Sequence, residues 1–344
     1  MNNTEKQFIE LLSKTIRNDD NIEYHQDVNW NNLINLAGEH KVEEIIYPLI
    51  EKNEFNFNSD NKILEELKTF TLYTAISEIR KLSYLENIFN KFEKDKIQFI
   101  ALKGLVLRNI YPKAEQRIMY DVDLLVRKKD LKVATEALQA IDYEVIENNK
   151  NSIKFMHRSY PIIELHWTLI KDKELDEAIW DRVIKEKVSN KQILTLGYED
   201  FLVYLCNNTI ENISKHGLNL RQIIDILLFS EANTDKIDWT SFKKRAKEQG
   251  IEKFVLVIFS ICSILFNMNL PEDLSDRDVM YNPNIDILIE SLLLGGINGD
   301  DKILSNTTKE DYSFMDNIKK FIRNKRLCKN RGEAIKWLGI QFTK

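Results

Sequence analysis

Two aspartates, Asp121 and Asp123, stand two residues apart in the run YDVDLLV (120–126). That run is apolar enough to form a buried strand, and strand geometry puts alternate side chains on one face. Asp121 and Asp123 then share a face, with Val122 and Leu124 on the other. Neighbouring carboxylates repel unless a cation lies between them, and a hard divalent ion with oxygen ligands, Mg²⁺ above all, resolves that repulsion. Further on, in PIIELHWTL (161–169), Glu164 and His166 alternate with Ile163, Leu165 and Trp167. The plainer reading of that alternation is a half-exposed strand. Placed beside the aspartates, Glu164 supplies the third carboxylate of a two-metal or metal-plus-base site, and His166 shares its face. Lys103-Gly104 closes an earlier strand where a helix begins, a setting in which backbone N–H groups can approach an anion. Arg117, four residues before Asp121, is within reach of a phosphate oxygen.

The elements that would hold these residues follow from hydrophobic periodicity. Residues 1–92 read as helical. Phe8, Leu11, Leu12 and Ile16 open the pattern, and one long helix over 61–92 has neither Pro nor Gly to break it. The pattern then changes. IQFIAL (97–102) and VDLLV (122–126) read as buried strands, with a short helix over 105–110 between them that ends before Tyr111-Pro112. A helix over 128–141 follows, then three strands: YEVIE (143–147), SIKFMHR (152–158) and PIIELHWTL (161–169). From 173 onward helices dominate, at 174–183, 199–213, 219–231, 239–249 and 252–267, with Gly197 and Gly250 as punctuation. The expected organisation is α+β, with a small mixed-sheet core over 93–170. An N-terminal helical region, 1–92, and a C-terminal one, 171–344, flank it.

The order LKG, short helix, YP, Arg117, YDVDLLV and IELHW resembles a family of uncharacterised bacterial nucleotidyltransferases within the polymerase-β-like superfamily. The stretch EDFLVYLCNNTIENISKHGLNLRQIIDILL (199–228) is similar to that family's helical region, and the resemblance covers roughly 80–235. It implies a small mixed sheet with helices and transfer of a nucleotidyl group from an NTP, ATP among them, with Mg²⁺ as cofactor and pyrophosphate released. By position in the motif, Asp121, Asp123 and Glu164 would be the catalytic, metal-binding carboxylates. Lys103, Gly104, Arg117, His166 and His216 would face the nucleotide. The acceptor hydroxyl is left open: a small molecule, a peptide or a protein. The chain departs from the family at three points. Lys103-Gly104 replaces the usual Gly-Ser, Tyr120 stands where a small residue precedes the first aspartate, and Asn208 stands where His is common. Two other readings keep the fold: a kinase-like phosphoryl-transfer variant, and a non-catalytic nucleotide-binding or regulatory protein.

Composition narrows the choice. A net charge of −5 over 344 residues gives no global basic field, which argues against an extended nucleic-acid partner. Cys206, Cys262 and Cys328 are odd in number and show no CxxC spacing, so neither a disulfide framework nor a zinc site is expected, and a cytoplasmic location fits. The N-terminus has no apolar signal core, and the most apolar run, 254–266, is too short to span a bilayer. His25, His40 and His157 lack ligand spacing and read as structural. Asp225, set among isoleucines, calls for a partner such as His216 or Arg221. Gly295-Gly296-x-x-Gly299 follows a helix and reads as a loop. The basic stretch 319–329 reads as a solvated helix face.

Overall fold

The computed structural model describes residues 1–23, 25–53, 61–170, 172–188, 190–216, 218–276 and 283–293. The glycine-rich stretch 295–299, the basic stretch 319–329 and Cys328 lie outside them. The chain divides into two compact units, one of residues 1–68 with 202–344 and one of 69–201.

The unit over 69–201 is built on a mixed seven-stranded sheet. Its strands are β1 (Phe99–Ala101), β2 (Asp121–Val126), β3 (Glu144–Asn148), β4 (Ser152–Met156), β5 (Ile162–His166), β6 (Ile184–Val188) and β7 (Lys191–Thr195). Their order is β3-β4-β5-β2-β1-β7-β6. The central strand β2 runs antiparallel to β1 and parallel to β5, and β4 is antiparallel to β5. Val122, Leu124, Phe155, Ile163 and Leu165 are buried on one face, as strand alternation requires. The hairpin β6–β7 extends the sheet beyond the 97–169 strands read from sequence. IKEKV carries lysines at alternate positions of the edge strand β6, and charge on an edge strand hides the apolar signal while guarding the edge.

The long helix over 61–92 extends to Asn61–Lys94 and is the fourth, after α1 (Asn3–Ile16), α2 (Trp30–His40) and α3 (Glu43–Lys52). Within the sheet-bearing unit the later part of this helix, α4, buries Leu85, Ile88, Phe89 and Phe92. The helices α5 (Gly104–Leu107), α6 (Leu131–Gln139) and α7 (Lys173–Ala178) also belong to this unit. The other unit is helical among its described residues. It collects α1–α3, most of α8 (Tyr198–His216), α9 (Leu220–Ala232), α10 (Trp239–Glu248), α11 (Glu252–Phe266) and α12 (Pro283–Leu293). Helix α11 is the most apolar segment and is buried nearly all round, which marks a core helix. Among the described residues no helix is long and apolar enough to cross a membrane. Cys206 and Cys262 are free thiols, both buried.

Candidate functional site

Register brings the acidic residues together. Strands β2 and β5 pair so that Asp123 lies beside Glu164, with Asp121 beside Ile162 and Leu125 beside His166. Side chains in register point to the same face, so Asp121, Asp123, Glu164 and His166 share one. Donor atoms of Asp123, Glu164 and His166 all lie within 4.8 Å of one another, a group able to hold a metal ion. Asp121 is not in that group. It stands one pair further along β2, more open to solvent than Asp123.

Two lysines neutralise the carboxylates. Lys103 Nζ donates to Asp123 Oδ1 at 2.6 Å. Lys154 Nζ sits between Asp121 Oδ2 at 3.1 Å and Glu164 Oε2 at 3.3 Å. Lys154 was not among the residues singled out from the sequence. It is positioned by the antiparallel pairing of β4 with β5, which sets Lys154 opposite Glu164 and Ser152 opposite His166. His166 Nε2 lies 2.9 Å from Asp123 Oδ1 and 3.9 Å from Glu164 Oε1. Three carboxylates against two ammonium groups leave one net negative charge when the imidazole is neutral.

These contacts set the protonation states. Burial alone would raise the Asp123 carboxyl, but the Lys103 ammonium and the His166 hydrogen bond outweigh it and hold Asp123 well below the usual carboxylate range. Glu164 is also lowered: burial opposes this, while His166, Ser152 and Lys103 favour the anion and Asp123 resists it. Burial would lower Lys154, yet Asp121 and Glu164 raise it. Asp123 and Glu164 are therefore ionised at neutral pH, as metal coordination requires.

The loop ahead of α5 carries the remaining candidates. Lys103 has φ 44° and ψ −126°, a left-handed backbone that glycine adopts readily and lysine does at a cost of ~1–3 kcal/mol. Lys103 is also the point at which Lys-Gly stands for the usual Gly-Ser. Its ion pair to the buried Asp123 offsets that strain. Gly104 is needed for close packing: a Cβ there would meet Met119 Cγ at 2.8 Å and Arg117 Nη1 at 3.4 Å. Arg117 is half-buried and donates from Nη1 to the Ile118 carbonyl at 2.7 Å. Tyr120 is 58% exposed at the mouth of β2. His216 ends α8, and its side chain lies outside the described residues. In the helical unit Arg221 binds the Lys41 carbonyl and the Glu44 carboxylate, and Asp225 is buried.

A sequence family described as "Uncharacterised nucleotidyltransferase" matches residues 26–267. No curated protein matches the chain significantly. Among solved structures, ANT(2'')-Ia in complex with adenylyl-2''-tobramycin is similar at 11% identity and a TM-score of 0.39, covering 48% of this chain and 98% of its own. The lincosamide antibiotic adenylyltransferase LnuA, lincomycin-bound, is similar at 14% identity and a TM-score of 0.32, covering 42% of this chain and 94% of its own. An antigenic nucleotidyltransferase-like protein from Paracoccidioides brasiliensis is similar at 13% identity and a TM-score of 0.33, with 44% and 77% covered.

Proposed function

This chain belongs to the uncharacterised nucleotidyltransferase family, and we propose that it transfers a nucleotidyl group from an NTP to an acceptor hydroxyl with Mg²⁺. The observation that carries the reading is the β2–β5 register, which sets Asp123 and Glu164 side by side with His166 and Asp121 on one face. The donor set fits a divalent cation: the carboxylates are ionised and converge, and their oxygens suit Mg²⁺, while an imidazole donor also suits Mn²⁺. When bound, the ion supplies Lewis-acid stabilisation of the charge that develops on the transferred phosphoryl group.

The chain's own residues do the rest. Asp121 and Asp123 hold the cation side of the site. Glu164 accepts the proton of the acceptor hydroxyl as the acceptor oxygen bonds to the α-phosphorus. The bond from that phosphorus to the β-phosphate's bridging oxygen breaks, and pyrophosphate leaves. Lys103, Arg117 and the backbone at Gly104 stabilise phosphate charge. Lys154, which bridges Asp121 and Glu164, would on displacement by a metal add its positive charge to those facing the phosphates.

The test is calorimetric titration of each NTP with Mg²⁺, with Mn²⁺ and with EDTA. It is joined to pyrophosphate release over a panel of hydroxyl-bearing small molecules and peptides, with product masses recorded. Metal-dependent binding, pyrophosphate release and a nucleotidyl mass increment, all lost in Asp123→Asn, are expected. Transfer of a single phosphoryl mass would instead make the chain kinase-like. Metal-dependent binding without turnover on any acceptor would support a non-catalytic nucleotide-binding protein. Absence of nucleotide binding under all three conditions would overturn the reading.

A further inference from the structure

Two charged residues lie where a packed helix normally carries apolar ones. Along α4 the line Thr71, Thr74, Glu78, Lys81, Leu85, Ile88, Phe92 advances by alternating steps of three and four, the spacing of one helix face. Leu85, Ile88 and Phe92 on it are buried, and so is Glu78, at 0% exposure. Off that line Leu72, Tyr73, Ile76 and Ile79 are exposed. The sequence thus gives up apolar burial in mid-helix to direct a carboxylate and an ammonium inward, and a buried charge is costly unless its partners fix it.

The partner of both is Met119. Its backbone N–H donates to Glu78 Oε1 at 3.1 Å in a buried setting. Its carbonyl accepts from Lys81 Nζ, which also donates to Glu78 Oε1. Arg108 Nη1 lies 3.8 Å from the other Glu78 oxygen and supplies a second counter-charge. The Met119 side chain, 2% exposed, fills the space that Gly104 leaves for want of a Cβ. So the backbone N–H, the carbonyl and the side chain of one residue are all held. That residue precedes Asp121 by two and packs on the residue that follows Lys103.

We infer that Glu78 and Lys81 form a positioning clamp on Met119, fixing the entry of β2 and hence the placement of Asp121 against the Lys103–Gly104 loop. The inference rests on the nucleotidyl-transfer reading for its consequence and on local geometry for the clamp itself. Both polar groups of an irregular segment are taken by side chains of one helix, so the segment between the 114–116 turn and β2 keeps a single conformation. A preorganised ligand does not have to be ordered when metal and nucleotide arrive, and misplacement of a reacting group by about 1 Å costs on the order of a hundredfold in rate. Neither residue touches the carboxylate cluster, so their link to it runs through Met119.

The experiment compares Lys81→Met, Lys81→Arg and Glu78→Gln with Lys91→Met, a change on the same helix at a surface pair with Asp95. Amide hydrogen exchange over 117–122, thermal melting and steady-state nucleotide transfer are measured on each full-length protein. Lys81→Met should melt cooperatively, exchange about tenfold faster over 117–122, and lose ~10–100-fold in kcat with less than about threefold change in KM for the nucleotide. Lys81→Arg, which still donates to both acceptors, should recover most of both readouts. Glu78→Gln, which keeps an acceptor for the Met119 N–H, should fall between wild type and Lys81→Met. Lys91→Met should match wild type. Unchanged exchange over 117–122 in both Lys81→Met and Glu78→Gln would overturn the clamp. So would a kcat loss that Lys81→Arg shares in full. A wild-type protein without nucleotide transfer would sink the functional reading instead, and exchange alone would then decide whether the clamp exists.

Discussion

Lys154→Met should tighten the binding of a divalent metal to the free protein while weakening nucleotide transfer. In the structure the Lys154 ammonium lies 3.1 Å from Asp121 Oδ2 and 3.3 Å from Glu164 Oε2, with about a quarter of its side chain exposed. A metal taking these oxygens must displace it. A charge-assisted hydrogen bond contributes ~1.5–3 kcal/mol where it is well buried. Partial exposure reduces each contact to ~1 kcal/mol, and rehydration of the released ammonium returns part of the total. A net competition of roughly 1–2 kcal/mol remains, so removing the ammonium should lower the metal Kd about tenfold. Methionine keeps the bulk of the stem without the charge. Without metal, the Asp121–Glu164 repulsion is no longer relieved, so the variant should melt below wild type and regain stability as Mg²⁺ is added. The assay is calorimetric titration with MgCl2 and MnCl2, paired with melting curves across the same concentrations. Equal or weaker metal affinity in Lys154→Met would refute the idea that this lysine and the metal compete for the same carboxylates.

Other outcomes follow from single features. Lys103→Gly should be more stable than Lys103→Ala by about 1 kcal/mol in denaturant unfolding, because only the former relieves the positive φ at that position; both should lose nucleotide affinity alike, and equal stabilities would remove the strain argument. Glu164→Gln should cut turnover by ~10²-fold or more, as removal of a general base does, with a smaller loss of metal–nucleotide affinity because Asp121 and Asp123 remain, and wild-type turnover would take Glu164 out of the reaction. In the helical unit His40 is buried, stacks on Phe8, accepts the Leu220 N–H at Nδ1, and is pushed down to about 4 by burial. Its folded value is depressed, so the stability it carries is complete above the unfolded value near ~6.5 and drains as pH falls toward about 4, by about 3 kcal/mol in all. Glu44, raised to about 7 by burial, titrates across the same window with the opposite sign, so the readout is the difference between wild type and His40→Gln in urea unfolding at stepped pH; a difference that does not change across this window would refute it.

Much of the fold was legible because local pattern and tertiary role agree. YDVDL and IELHW alternate cleanly, and the structure shows both alternations as apolar and polar faces of adjacent central strands. The parts that were not legible depend on partners distant in sequence. Lys154 lies in a strand whose residues could equally face either way until its register with β5 is set, and a one-residue slip would turn it to the opposite face. The lysine-rich edge hairpin β6–β7 looks like solvated chain, because an edge strand needs few apolar residues. On α4 apolar type does not track burial: Phe70 and Ile79 are 38% and 62% exposed while Glu78 is fully buried. Type identifies what prefers burial, but the Met119 backbone, more than thirty residues away, determines what that helix face must supply.

The charge balance of the site ties these features together. A sheet face with three carboxylates would not hold its shape at neutral pH without cations, and the chain supplies two of its own, one from the loop before α5 and one from β4. They are not equivalent. Lys103 is bound to the most buried carboxylate through a strained backbone and is committed to Asp123. Lys154 bridges the more open side of the cluster from a flexible four-carbon stem, and its contacts are the ones a stronger cation displaces first. With a divalent ion in place of the Lys154 bridge, the net negative charge of the cluster is cancelled, and the freed ammonium nearby makes the local charge positive. A triphosphate is repelled by the first arrangement and attracted by the second. Metal affinity and nucleotide affinity are therefore coupled through one lysine, which is why its removal should move the two in opposite directions.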